Sequence, residues 1–192
     1  HHIMTYIYQK YKNKESDEQI KNRIKDSMKA LRFNDNRGYF YINSMDGNSI
    51  LHPNNELEGT FVLNYEDETK TKIFKKIIEE LRKQDEVYSE YYWNKLENND
   101  SKTKYKKLSF NKIFKPYNWH IGTGEYLDDF DKKMKAEILD YIGKLRYSTN
   151  GYIFVVDKDG TYLSHIEKSY IGLNRIDLKD PNGFMITREI IR

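Results

Sequence analysis

The chain has 192 residues, 33 Lys and Arg against 30 Asp and Glu for a formal net charge of +3, no cysteine, and 17 Tyr with 9 Phe among 38% hydrophobic residues. A charge so small, with lysines scattered among carboxylates, gives no basic stripe for tracking a phosphate backbone, so no nucleic-acid partner is expected. The lack of cysteine removes disulfides, thiolate catalysis and Cys-ligated metals; no run of about 18 apolar residues spans a membrane, and the aromatic load argues against disorder.

The opening "HHIM" resembles the stub of an affinity tag (residues 1–3), so His1 and His2 are kept out of every metal argument. Residues 4–32 contain no Pro or Gly, and Met4, Ile7, Tyr8 and Tyr11, then Ile20, Ile24, Met28 and Leu31, recur at helical spacing. One helix of about 43 Å is expected there. Its polar middle, "KNKESDEQ", is expected to project or to pair with a second copy, which makes a homodimer through this helix a candidate assembly. Gly38 to Asn43 reads as a strand buried on both faces, and "MDGN" supplies the Asp-Gly signal of a tight hairpin. An amphipathic helix follows over Glu66 to Lys83. Three strands are then expected, at Val87 to Trp93, Lys106 to Phe114 and Asn118 to Tyr126, before a helix from Asp129 to Leu145. In the first of them Val87, Ser89, Tyr91 and Trp93 share a face. Helices segregated from an antiparallel sheet make an α+β fold.

Part of the sequence is written twice. "GYFYINSMDGNSILH" (Gly38 to His52) returns as "GYIFVVDKDGTYLSH" (Gly151 to His165), and the offset of 113 holds without a gap from Gly38 to Glu79 against Gly151 to Arg192. Gly38, Tyr39, Asp46, Gly47, His52, Gly59 and Asp67 are all matched by identical residues. Two copies of one supersecondary unit follow from this. The expected organisation is a first module over 33–128, a connecting helix over 129–146 and an incomplete second module over 147–192.

Catalysis finds no positive support. Gly122-Thr123-Gly124 lacks the Lys-Ser/Thr of a phosphate loop and the third glycine of a dinucleotide fingerprint, so these glycines read as places where something approaches the sheet closely. His52, His120 and His165 are too scattered for a metal site, and Asp128 and Asp129 read as a helix cap. No Ser-His-Asp set stands at motif spacing. Neither a metal nor a cofactor is expected, and a hydrolase is the weakest of the functional readings.

The pieces "GYFYINSMDGNSILHP", "ELEG", "YYWNK", "KLSF" and "WHIGTGEYLDD", in that order over residues 31 to 130, resemble the Cache family of extracytoplasmic sensor modules. Copy two is similar to the start of a second module, which makes the whole resemble a double Cache sensor. The resemblance implies a PAS-like fold with a central antiparallel sheet of about five strands behind a long N-terminal helix. It also implies a place outside the cytoplasmic membrane in a membrane-anchored histidine kinase, chemoreceptor or cyclic-dinucleotide enzyme, with a small organic acid or amine as ligand. On that basis Tyr39, Tyr41, His52, Tyr91, Trp93, Lys95 and Phe110 are the expected ligand-binding residues, and none is expected to be catalytic. This sequence departs from the family at Leu96, where Pro is usual, at Phe110, where Tyr is common, and at Ile166, opposite Pro53. The alternative is a structural or dimerisation module whose pocket is filled by its own side chains.

Overall fold

The computed structural model describes residues 1–96 and 103–191. It divides into two compact units, His1–Asp129 and Phe130–Arg192.

The first unit opens with two helices, α1 (His2–Tyr11) and α2 (Asp17–Lys29), in place of the single long helix expected over 4–32. The break has a local cause. Ser16 takes an extended conformation and forms a capping box with Gln19, which starts a new helix at Asp17 and satisfies two backbone donors. Glu15 closes the turn by a bidentate pair with Arg23 at 2.6 and 2.8 Å. The polar stretch therefore folds as a connection. Met4, Ile7, Ile20, Ile24 and Met28 all bury themselves on the unit's own sheet.

That sheet contains β1 (Arg32–Phe33), β2 (Gly38–Ser44), β3 (Ser49–Leu51), β4 (Glu86–Trp93), β5 (Tyr105–Phe114) and β6 (Trp119–Tyr126). The order is β1-β2-β6-β5-β4, with β3 also on β2, and every pairing is antiparallel. Gly47 turns the β2–β3 hairpin at φ +92°, the left-handed region that a side chain would strain. One face of the sheet carries Ile42, Phe114, Trp119 and Ile121 against α1 and α2. The other carries Tyr39, Tyr41, Val87, Tyr91, Trp93 and Tyr126 against α3 (Ile73–Leu81).

Helix α3 begins seven residues later than the expected Glu66. The buried Asp67 accepts from the backbone N–H groups of Thr69, Thr71 and Tyr92, and Lys70 adopts φ +60°. This side chain offers residues 67–71 a hydrogen-bonded turn that competes with helix. Asn118 likewise sits at φ +51°, after a 3₁₀ turn, so β6 starts at Trp119. Helix α4 (Leu127–Lys144) runs across the division between the units, and Asp128 and Asp129 lie in its first turn rather than at a cap before it.

The second unit contains β7 (Arg146–Tyr147) paired with β8 (Gly151–Tyr152), β9 (Val155–Val156) paired with β10 (Tyr162–Ser164), and α5 (Ile186–Ile190). Its hairpin and the turns after it repeat the backbone bonds of the first unit. Gly160 and Gly172 adopt φ +93° and +85°, where Gly47 and Gly59 adopt +92° and +79°. The N–H groups of Asn182 and Phe184 donate to Asp180, as those of Thr69 and Thr71 do to Asp67. One difference stands out: β2 is continuous over seven residues, whereas its repeat is broken into β8 and β9. In the first unit β6 pairs along β2 from Phe40 to Ser44; among the described residues of the second unit no strand does so.

Candidate functional site

Strand parity brings five of the expected residues to one place. Tyr39 and Tyr41 point from β2, and Tyr91 and Trp93 from β4, into the layer between sheet and α3. His52 closes the group from the turn after β3. Its ring centre lies 5.5 Å from that of Tyr39, 6.3 Å from Tyr41 and 5.9 Å from Trp93. Nδ1 of His52 accepts from the Asn54 backbone N–H at 3.0 Å, which leaves the proton on Nε2 as a donor. Burial and then the charge of Lys107 push the imidazole down to about 3, so it is neutral at every ordinary pH.

Lys107 is the unforeseen member. It is 1% exposed, and its ammonium sits 4.0 Å from the Tyr39 ring centre and 5.0 Å from that of Tyr126. Among the described residues no group takes a hydrogen bond or an ion pair from it. Burial lowers its pKa to about 7, against a smaller opposing pull from Glu125. Tyr39 is 1% exposed, and its hydroxyl has no hydrogen-bond partner among the described residues. A buried cation beside a buried, unpaired hydroxyl is a costly arrangement in a protein that uses it only for packing.

Deeper along the same face the polar groups do satisfy one another. Tyr41 donates to Asn111 Oδ1 at 2.7 Å, Asn111 donates to Ser109 at 3.1 Å, and Ser109 donates to the Ser89 carbonyl at 3.2 Å. His120, fully buried, pairs at 3.4 Å with Asn43, and its Nδ1 has no partner among the described residues; burial brings it to about 3. The two glycines flagged in the sequence make room for this set. A Cβ on Gly122 would lie 2.1 Å from the Tyr41 ring, and one on Gly124 would lie 2.8 Å from Cε of Lys107 and 2.6 Å from the Leu108 carbonyl. What approaches the sheet closely at these glycines is the cage's own side chains.

Two expected residues fall elsewhere. Phe110 lies on the opposite face of β5, stacked on Tyr88 with centroids 4.9 Å apart, because Lys107, Ser109 and Asn111 occupy the odd, inward positions of that strand. A Tyr at that position would also point away from the cage. Lys95 is drawn to the start of α4, where its ammonium lies 2.7 Å from both Asp128 and Asp129. Partial burial opposes it, but those two carboxylates raise Lys95, and Lys95 with Arg37 holds Asp129 below the usual carboxylate range. A cleft of about 110 Å³ lies beside this network, lined by Asn36, Arg37, Lys95, Leu96, Tyr126 and Asp129.

The inward residues of β5 were not singled out by the sequence because its buried face is polar while Leu108 and Phe110 sit outward. An apolar-inward reading selects the wrong residues of such a strand. The available signal was register: Lys107 and Asn111 flank the glycines of β6, and only glycine leaves space for a neighbour's side chain.

A five-membered antiparallel order with helices on both faces and a closed aromatic cage on one defines a PAS-like sensor module. The family model "Cache domain" of the double-Cache type matches residues 1–192, and the chain belongs to this family of extracytoplasmic sensor domains. Among curated proteins it is 30% identical over 114 residues to the methyl-accepting chemotaxis protein McpP of Pseudomonas putida, covering 59% of this chain and 20% of that protein. It is 36% identical over 62 residues to the sensor histidine kinase MctS of Rhizobium johnstonii, covering 32% of this chain and 13% of that one. The chain thus spans a fifth or less of these relatives. Among solved structures, a Cache chemosensory domain studied for carboxylic acid recognition superposes with a TM-score of 0.58 at 23% identity, over 66% of this chain and 90% of that one. A methyl-accepting chemotaxis protein from Vibrio parahaemolyticus gives 0.57 at 25%, over 67% and 84%.

Proposed function

We propose that this chain is the ligand-binding segment of a transmembrane signalling receptor, a chemoreceptor or histidine kinase, and that its first unit takes a small organic acid without transforming it. The observation that carries this reading is the Lys107 ammonium, buried and without a partner among the described residues. A carboxylate supplies the missing counter-charge. An amine would meet a cation in the same enclosure, so of the two ligand classes the acid is preferred. Lys107, the Nε2–H of His52 and the Tyr39 hydroxyl are the proposed donors, and Tyr41, Tyr91 and Trp93 the walls, in keeping with an apolar pocket that holds a few fixed polar groups. Tyr126 links the cage to the output side. It borders Lys107, its hydroxyl donates to the Asn94 carbonyl at 2.5 Å, and α4 begins at the next residue. Ligand binding then acts by favouring one packing of Tyr126 and so one setting of α4.

The test is thermal unfolding against short carboxylates, amino acids and amines. A ligand at about 100 times its Kd should raise Tm by roughly 5 to 10 °C. Failure of the whole panel to shift it would end the receptor reading.

One observation favours the structural alternative: the Tyr41–Asn111–Ser109 bonds fill part of the interior without any ligand. Under that reading α1 mediates a homodimer through Ile3 and Tyr6, which are 44% and 62% exposed while the rest of its apolar face is spent on the sheet. Sedimentation at high concentration separates the two; a monomer removes the alternative.

A further inference from the structure

We propose that the first unit takes up its organic anion together with a proton, held on Lys107, so that the module reads the acid rather than the anion alone. This rests on the cage being an anion receptor. The argument comes from what surrounds the ammonium on every side. β2 presents Tyr39 and β4 presents Tyr91, its register partner, neither of them charged. β6 presents the ring of Tyr126. Its neighbouring carboxylate, Glu125, is engaged by Asn34 and lies 3.6 Å from Arg37. The turn after β3 presents neutral His52, and the nearby Glu58 is occupied by the His52 backbone N–H. Lys95, whose ammonium is 5.3 Å from the Tyr126 ring centre, spends its charge on Asp128 and Asp129.

No carboxylate of the described residues therefore pairs with Lys107; desolvation outweighs the pull of Glu125 and brings its proton affinity to about neutrality in the free protein. A bound carboxylate restores the counter-charge and raises that affinity. The balance is simple: one anion and, above neutral pH, one proton from solvent enter together, and no bond of the ligand changes. Linkage makes the effect reciprocal, so acidification tightens binding of the anion as much as the anion tightens binding of the proton. No other cage member competes in this window. His52 titrates near 3, and burial raises Tyr39, Tyr41 and Tyr91.

Calorimetry with propionate tests this on the unmodified chain, at pH 6, 7, 8 and 9, each in two buffers of different ionisation enthalpy. Proton uptake should be close to none at pH 6, about half a proton near pH 7 and nearly one by pH 8.5, with Kd weakening about tenfold per pH unit above 7. Lys ¹³Cε resonances, with Lys107 assigned by its loss in Lys107→Met, should show one lysine titrating near neutrality without ligand and well above it with propionate. Equal affinity and no proton uptake from pH 6 to 9 would overturn the coupling and leave the receptor intact, as would a Lys107 that titrates above pH 9 in the free protein. No binding at pH 6 of propionate or of the carboxylate panel would instead remove the receptor reading, and this inference with it.

Discussion

The two histidine turns carry the same local structure and lie in different surroundings. At both, Nδ1 accepts the N–H two residues on, from Asn54 at 3.0 Å in the first unit and from Glu167 at 2.9 Å in the second. Both imidazoles stand edge-on to the tyrosine that opens the repeat, at 5.5 Å for Tyr39 and 5.2 Å for Tyr152. Yet His52 is 4% exposed, while His165 is only half-buried. In the first unit β4 and β5 place Trp93 and Lys107 beside the imidazole, with Tyr91 and Tyr126 in the same layer. The turn sets the orientation of the imidazole locally, and in the first unit the strands bury it among aromatic rings beside a cation.

Acid should separate the units most. His52 and His120 both titrate near 3 in the folded first unit against about 6.5 unfolded, so their contribution is fully present above pH 6.5 and is lost as pH falls toward 3. Between pH 6.5 and 4.5 this is on the order of 5 kcal/mol for the pair, read as a steep acid limb in urea melts that His120→Asn flattens.

Lys107→Met comes next. Its folded pKa of about 7 is depressed below the unfolded value, so its penalty is absent above about pH 10.5 and complete below pH 7. The variant should be roughly 4 kcal/mol more stable at pH 7, with the advantage vanishing toward pH 10, and it should no longer respond to carboxylates.

The repeated aspartates sharpen the comparison further. Asp67→Ala strands three backbone donors, one of them on β4, and should cost about 2 to 3 kcal/mol in denaturant melts. Asp180→Ala removes the same turn in a more exposed setting and should cost less than about 1 kcal/mol. Smallest of all, Phe110→Tyr on the outward face should leave any carboxylate Kd within about twofold of the parent, as titration of both proteins would show.

Much of this was legible in residue order. The 113-residue repeat, the Asp-Gly hairpins, the three strands and the inward face of β4 follow from periodicity and turn chemistry, and the ordered motifs pointed to the Cache family before any coordinates. Of the expected contacts, Tyr39, Tyr41, His52, Tyr91 and Trp93 do converge. The single N-terminal helix failed because a four-residue capping signal outweighed a long apolar periodicity. Lys95 and Phe110 lie outside that group for a different reason, since the placement of each depends on partners distant in sequence.

Sequence by itself determined the turns. Glycines at positive φ, a histidine or aspartate that bonds backbone two to four residues away, and a serine that caps its own helix all act within a few residues, so they recur wherever the motif recurs. Tertiary structure alone decided which lysine is the buried charge. Lys95 precedes α4's carboxylates in space and is neutralised by them, whereas Lys107 faces inward only because β5 pairs with β4 and β6 in one register. A slip of one residue would exchange it for Lys106 and turn the cage inside out, and that register is set by burial over the whole sheet rather than by any short stretch of chain.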